Sequence, residues 1–225
     1  MANFESSIVE AQLDAVERSL TATPDEDVVV SAVTLSQSYP VDPKSLWAAC
    51  TTQERLAQWL GPVSGDLRVE GRYQLEDTAA GVVRRCHAPK SFVVSWDYGD
   101  DTSLVEVRLR AEEAEDAEAE GGTRLTVIHS ADIASQRWAQ YGAGESGIGW
   151  DIWLLCLAHH LATGDAVATA VNAWTESVGG RRFIAESSRR WADKSVATGT
   201  PEADARAAQA RITAFYANLD PAGQP

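Results

Sequence analysis

The alternation of apolar and polar residues between positions 65 and 131 constrains the fold more than any other sequence feature. In the segment 102–111, Val105, Val107 and Leu109 alternate with charged residues. This pattern predicts a strand with one apolar and one solvated face. Short, even spacing between such segments predicts antiparallel neighbours. The predicted strands are 80–87, 91–98, 102–111 and 122–130, preceded by a weaker pair within 65–76.

Two segments precede this region at the N-terminal side. Residues 4–20 have apolar side chains at helical spacing, which predicts a short amphipathic helix that is broken by the sequence TATPDED. Residues 28–39 are rich in β-branched side chains and predict a further strand.

Two short helices are predicted directly after that strand. Asp42 and Pro43 combine an N-cap with a proline in the first turn, which predicts a helix over 43–49. Thr51 and Glu54 have the spacing of a capping box, which predicts a second helix ending at Gly61-Pro62.

A strongly apolar segment over 148–163 predicts a long buried helix that ends at Gly164. The glycine-rich stretch 138–149 before it is either a plain connector or a gate over a groove. Three further helices are predicted over 165–178, 181–197 and 201–218. Their apolar faces either pack back onto the domain or form a homodimer contact.

Together these elements predict an α+β fold with a curved antiparallel sheet, two short helices and a long helix. We divide the chain into an N-terminal helix and linker (1–27), a main domain (28–163) and a helical C-terminal extension (164–225).

The charge of the chain excludes several classes of partner. Nineteen basic and 33 acidic residues give a formal net charge of −14. A surface this acidic repels phosphate backbones and anionic lipids, so we expect neither nucleic acid nor a membrane as partner. Three widely spaced cysteines argue against a disulfide framework, and the N-terminus lacks the pattern of a signal peptide. We therefore expect a cytoplasmic protein.

Three motifs in the expected order resemble a known family. They are YPVDPKSLWAACTTQERLAQWLGP at 39–62, TRLTVIH at 123–129 and GWDIWLLCLAHHL at 149–161. They resemble the activator of heat-shock-protein-90 ATPase homologue-like (AHSA-type) family of the SRPBCC (START, Bet v 1-like) superfamily. The resemblance covers 28–163 and implies a helix-grip fold, in which a curved antiparallel sheet wraps a long helix. It also implies either a groove for a hydrophobic molecule, cyclase-like chemistry, or contact with a chaperone.

The groove between the sheet and the long helix is the candidate binding site. Its predicted lining is aromatic and aliphatic, which suits a small hydrophobic or aromatic ligand, although the same side chains could fill a closed core. The candidate ligand-binding residues are Trp96, Tyr98, Val105, Val107, Leu125, Val127, His129, Trp150, Trp153, Leu154 and Leu157.

Signals for chemistry are weak. His129 is either a general base, paired in one interpretation with Asp151, or a core histidine, and no nucleophile accompanies it. His159 and His160 are adjacent rather than at the spacing of helical metal ligands, so we expect no metal and no cofactor. The acidic run at 111–120 is either a solvated hairpin tip whose like charges repel one another or a site for a cation or a basic partner, and we favour the hairpin tip.

The first functional hypothesis is therefore a non-enzymatic carrier of a small hydrophobic molecule. A co-chaperone-like interaction module is the second hypothesis, and a cyclase- or hydrolase-like enzyme using His129 is the third.

Overall fold

The structure is a computed structural model that describes residues 4–25, 28–113 and 121–217. Its strands are β1 (Glu17–Asp25), β2 (Val28–Tyr39), β3 (Val63–Gly65), β4 (Arg72–Leu75), β5 (Ala79–His87), β6 (Ser91–Tyr98), β7 (Asp101–Ala111) and β8 (Thr123–Asp132). Its helices are α1 (Ser6–Ala15), α2 (Pro43–Thr51), α3 (Gln53–Trp59), α4 (Gln136–Tyr141), α5 (Gly144–Thr163), α6 (Val171–Thr175), α7 (Val178–Ala197) and α8 (Glu202–Tyr216).

All eight strands form one antiparallel sheet in the order β1-β2-β8-β7-β6-β5-β4-β3. The sheet wraps α5, so the structure is the α+β helix grip that the resemblance implies, and its antiparallel strands are those that the alternation predicts. Val107 pairs with Val127, and Val105 pairs with His129. These residues are buried, whereas the exposed Leu104 lies on the other face of β7. The alternation in β7 and β8 thus places one apolar row against the helix.

The N-terminal prediction is wrong in its second half. Helix α1 ends at Ala15, and residues 17–25 form the edge strand β1, paired with β2 from Glu17 opposite Ser36 to Asp25 opposite Val28. The segment SLTAT contains β-branched threonines, and β2 offers an unpaired edge. Ladder formation with β2 therefore outweighs the helical spacing of the apolar residues.

A buried ion pair fastens β1 to helix α5. Arg18 donates to both carboxylate oxygens of Asp151, with a shortest N–O distance of 2.6 Å, and both side chains are almost fully buried. Ser187 Oγ and Trp191 Nε1 of α7 donate to the same carboxylate at 2.6 and 3.0 Å. Arg18 also donates to the carbonyls of Leu13 and Val16. One carboxylate therefore joins strand β1, the long helix α5 and helix α7.

Helix α5 begins earlier than predicted, at Gly144, and the short helix α4 occupies much of the expected glycine-rich loop. Ser135 Oγ caps α4 by accepting from the Trp138 amide. At Gly147 a Cβ would overlap the Trp191 indole, so the glycine allows α5 and α7 to approach closely. The glycines at the start of α5 therefore serve helix packing rather than a loop.

The capping box is also wrong. The Thr51 hydroxyl donates to the Trp47 carbonyl inside α2, and the N-cap of α3 is Thr52, whose side chain makes no capping bond. The predicted N-cap at Asp42 is confirmed, because its carboxylate accepts from the Lys44 and Ser45 amides.

The C-terminal extension folds back onto the domain. Helix α8 and most of α7 match the prediction, but the predicted 165–178 helix is reduced to the five residues of α6. Gly179 and Gly180 do not end a helix, since Ser177 caps α7 and both glycines lie in its first turn. The division at 27/28 and 163/164 stays a prediction.

Candidate functional site

An apolar cavity of about 290 Å³ lies between the sheet, the α2–α3 pair and α5. Its lining is almost entirely carbon, with Thr51 and Tyr73 as the hydroxyl-bearing exceptions. The lining residues are Trp47, Cys50, Thr51, Leu56, Trp59, Leu60, Val63, Leu67, Tyr73, Leu75, Val83, Cys86, Ala88, Phe92, Val94, Trp96, Val105, Val107, Leu125, Val127, Trp150 and Leu154.

The structure brings most of the candidate ligand-binding residues to this cavity. Those that line it are Trp96, Val105, Val107, Leu125, Val127, Trp150 and Leu154. Leu157 lines no cavity on this side of α5 and is fully buried in the core. Tyr98, His129 and Trp153 lie at a second, neighbouring cavity. Their role in binding stays a prediction.

Sequence reasoning missed the wall that α2, α3 and the β3–β4 hairpin contribute. Trp59 is held there by its indole N–H, which donates to the Ala49 carbonyl at 3.0 Å. Trp47 packs edge-on against Phe92 across the cavity, with ring centroids 5.9 Å apart. Both tryptophans stand out in the sequence, but helical spacing alone does not say which layer of the fold they face.

Three tryptophans separate the apolar cavity from the second cavity. The ring centroids of Trp96 and Trp150 are 5.7 Å apart, and those of Trp150 and Trp153 are 5.0 Å apart. Trp96 and Trp150 line both cavities. These ring contacts, tilted between Trp96 and Trp150 and edge-on between Trp150 and Trp153, form an aromatic partition across the groove.

The second cavity is larger, about 490 Å³, and polar. It lies between the ends of β6, β7 and β8, the start of α5 and the end of α8. Its lining includes Asp77, Thr78, Trp96, Tyr98, Asp100, Asp101, Thr102, Ser103, His129, Ala131, Asp132, Ala134, Ser135, Arg137, Glu145, Ser146, Gly149, Trp150, Trp153, Ile212, Phe215 and Tyr216.

His129 is a buried, neutral hydrogen-bonding residue of this region. The Trp150 indole N–H donates to His129 Nδ1 at 3.0 Å, so in the neutral ring the proton is on Nε2. His129 Nε2 lies 2.7 Å from Ser103 Oγ, which donates its own proton to the Trp96 carbonyl. Burial lowers the pKa of His129 to about 4.

This arrangement does not make Ser103 a nucleophile. A general base needs a free lone pair directed at the hydroxyl proton, and both ring nitrogens of His129 are already engaged. The predicted pairing of His129 with Asp151 is not formed, because Asp151 is bound by Arg18, Ser187 and Trp191 instead.

Arg137 is the one arginine that lines the polar cavity in the part of the chain that the structure describes. Its Nε donates to Glu145 Oε1 at 2.8 Å, and the guanidinium carbon lies 4.9 Å from the centre of the Tyr98 ring. Hydrogen bonding to Glu145 raises the pKa of Arg137 even though burial acts in the opposite direction. The guanidinium of Arg137 therefore has its counter-group inside the same cavity.

Within 4–25, 28–113 and 121–217, no group of three or more histidine, cysteine or acidic side chains could hold a metal ion. His159 and His160 are both buried, and His160 Nδ1 lies 2.8 Å from the Asp165 carbonyl. Most of the acidic run at 111–120 lies outside the described residues, because positions 114–120 are not described.

The three cysteines are unpaired. Burial raises the pKa of the Cys50 and Cys156 thiols to about 12, so both stay protonated at neutral pH. Cys86 is exposed. In the part of the chain that the structure describes, no helix is long and apolar enough to span a membrane.

Comparison with known families identifies the domain around these cavities. The family model described as "Activator of Hsp90 ATPase homolog 1-like protein" matches residues 40–162, which is more than half of the chain. The chain belongs to this family. The resemblance drawn from the three motifs is confirmed. None of the curated proteins matches the sequence.

Solved structures confirm the SRPBCC, Bet v 1-like fold. The crystal structure of CalU16 from Micromonospora echinospora is 26% identical, with a TM-score of 0.62, and the match covers 80% of this chain and 98% of that one. A solution structure of the same protein has a TM-score of 0.65 at 26% identity, covering 82% and 97%.

A third match, EF2215 from Enterococcus faecalis, is described as a conserved protein of unknown function. It is 15% identical with a TM-score of 0.56, covering 85% of this chain and 99% of that one. These matches extend beyond residues 40–162, so parts of the terminal segments belong to the shared architecture.

Proposed function

We propose that this protein is a non-enzymatic carrier of a small hydrophobic or aromatic molecule, held in the apolar cavity. The observation that supports the proposal is a cavity of about 290 Å³ with a predominantly apolar lining. Cavities of roughly 150 Å³ with such a lining stay dry and take up benzene, so this one has room for about two fused rings. The cytoplasmic location stays a prediction.

The exposure of the lining also favours a binding cavity over a filled core. Val63, Leu67, Phe92 and Val94 are large apolar side chains that remain only half-buried at the cavity. Leaving apolar surface in contact with water costs about 25 cal/mol for each Å². A hydrophobic ligand that covers these side chains regains that free energy, which gives the site its affinity.

Filling the cavity tests the proposal. Val107→Trp places an indole in the cavity, whereas Leu104→Trp adds the same group on the outer face of the same strand, where Leu104 is 46% exposed. The probe is naphthylethanol, a neutral two-ring molecule, and binding is measured by isothermal titration calorimetry. Circular dichroism and thermal unfolding verify that both variants fold.

Wild type and Leu104→Trp are expected to bind naphthylethanol with similar affinity. Val107→Trp is expected to weaken binding at least tenfold while keeping its fold. Equal binding by wild type and a folded Val107→Trp would show that the apolar cavity is not the site. If Val107→Trp is unfolded, Leu125→Phe is the smaller filling substitution.

The engaged nitrogens of His129 favour binding over catalysis. His129→Gln is expected to leave any turnover of a candidate substrate unchanged, since the imidazole is neither a free base nor paired with a carboxylate. Loss of turnover in a folded His129→Gln variant would support the enzyme hypothesis instead.

The second candidate function is an interaction module that activates a chaperone ATPase, and the family description favours it. Among the described residues, the exposed large hydrophobics are Val69, Leu104 and Val178, which are scattered rather than clustered. A pulldown with the host heat-shock-protein-90 homologue, followed by an ATPase assay, tests it. This candidate is removed if the protein does not bind the homologue at physiological salt and does not stimulate its ATPase activity.

A further inference from the structure

The polar cavity carries a strong imbalance of charge. Among the described residues, five carboxylates line it, against one guanidinium, that of Arg137. Glu145 already neutralises Arg137 through the bond to its Nε. His129 adds no positive charge near neutral pH, because its imidazole is neutral. The four remaining carboxylates are those of Asp77, Asp100, Asp101 and Asp132.

Aromatic rings form another part of the lining. Trp96, Tyr98 and Trp153 all border the cavity. Such rings attract cations through their faces and pack well against planar apolar groups. Arg137 over Tyr98 shows that this surface already accommodates one cation.

An unused hydrogen-bonding group lies in the same cavity. Among the described residues, the Tyr216 hydroxyl has no hydrogen-bond partner, although Tyr216 borders the cavity and burial raises its pKa well above the usual range. The phenol therefore stays protonated, and its oxygen remains free to accept a hydrogen bond.

We propose that the polar cavity is a second binding site, distinct from the apolar cavity, for an aromatic molecule that carries a protonated amine. The ring system packs against Trp96, Tyr98 and Trp153. The ammonium group lies toward the aspartates and donates to Tyr216. Arg137 and Glu145 form the charged floor and hold the Tyr98 ring in place.

Three probes with one ring system separate charge from shape. They are naphthylethylamine, naphthylethanol and naphthylacetate, which are cationic, neutral and anionic at pH 7. In the Val107→Trp background the apolar cavity is filled, so calorimetry in that variant reports the polar cavity. We expect the amine to bind about tenfold tighter than the alcohol at low salt, and the acetate weakest. The preference for the amine is expected to shrink as ionic strength rises.

Two substitutions on the cavity rim test the role of charge. Asp77→Asn with Asp101→Asn removes two of the aspartates, and asparagine tolerates the positive φ of 52° at position 77. The matched control is Glu54→Gln with Glu176→Gln, which changes the net charge equally at exposed positions outside the cavity. Only the first pair is expected to weaken amine binding, by about fivefold or more.

Tyr216→Phe provides the third test. It removes the hydroxyl and keeps the ring. It is expected to weaken the binding of the amine by about fivefold and the binding of the alcohol less, because a hydrogen bond from a charged donor is stronger than one from a neutral donor.

The proposal is overturned if the amine and the alcohol bind with equal affinity. It is also overturned if Glu54→Gln with Glu176→Gln weakens amine binding as much as Asp77→Asn with Asp101→Asn does. Loss of amine binding in a folded Val107→Trp variant would overturn the claim of a distinct site. If wild type binds the amine but not naphthylethanol, the carrier proposal fails while this one stands; the reverse pattern leaves only the carrier proposal.

Discussion

Removing the buried charge of Asp151 is expected to lower the stability of the protein strongly. Its ion pair with Arg18 is almost completely buried, with side-chain exposures of 0% and 3%. Asp151→Asn keeps the size of the side chain and an oxygen that can accept from Ser187 and Trp191. It removes the charge that balances the Arg18 guanidinium, which is left buried without a counter-charge.

The expected loss is about 3–5 kcal/mol in the free energy of unfolding, the usual cost of breaking one side of a buried pair. For a chain of this length, that corresponds to a fall of roughly 10 °C in Tm. Urea unfolding followed by tryptophan fluorescence measures it, with calorimetry as the second method. Glu106→Gln, which breaks the solvent-exposed pair with Arg108, is the control and is expected to cost about 0.5 kcal/mol.

A double variant separates lost charge balance from lost packing. Arg18→Met with Asp151→Leu removes both charges and is expected to recover much of the stability that Asp151→Asn loses. The reasoning is refuted if Asp151→Asn costs less than about 1 kcal/mol, or if the double variant is less stable than the single one.

Three further predictions concern pH, packing and thiol chemistry. Burial lowers the pKa of His129 from 6.5 to about 4, so the unfolded state binds the extra proton at a higher pH than the folded state. The free energy of unfolding therefore falls as the pH drops from about 6.5 toward 4, by about 3 kcal/mol in total. Urea titrations of His129→Gln should lack this pH-dependent loss. Gly147→Ala is expected to lower Tm by several degrees, because its Cβ would overlap the Trp191 indole. The same change at Gly99 meets no neighbouring atom and costs only the strain of its positive φ. Similar losses of Tm at both sites would contradict the packing argument. Cys86 is expected to react alone with a thiol reagent in the native state, and the two buried thiols only after unfolding; fast native reaction at three sites would show that the core is open.

The sheet and the long helix could be predicted because each follows from a short-range pattern of apolar and polar residues. Val105, Val107 and Leu109 alternate along β7, and that alternation survives in the structure because one face must be buried. The family motifs added the order of the elements. Strand β1 could not be predicted in the same way, since its pairing depends on the free edge of β2 rather than on its own spacing.

The candidate site could be predicted only in part. Residues on the sheet and on α5 were found because their facing direction follows from period and register. Arg137, Glu145 and Tyr216 were missed, because they lie on α4, α5 and α8 and meet only through tertiary packing. Asp151 looked like a candidate partner of His129, and only the structure shows that β1 and α7 supply its donors.

Native mass spectrometry of wild type and Val107→Trp side by side tests the central claim most directly. Gently purified samples are measured as isolated, after organic extraction, and after addition of naphthylethanol. The account predicts a discrete non-covalent adduct on wild type that extraction removes and naphthylethanol restores, and a strongly reduced naphthylethanol adduct on folded Val107→Trp. Identical spectra for the two proteins, with no adduct even in excess naphthylethanol, would contradict it.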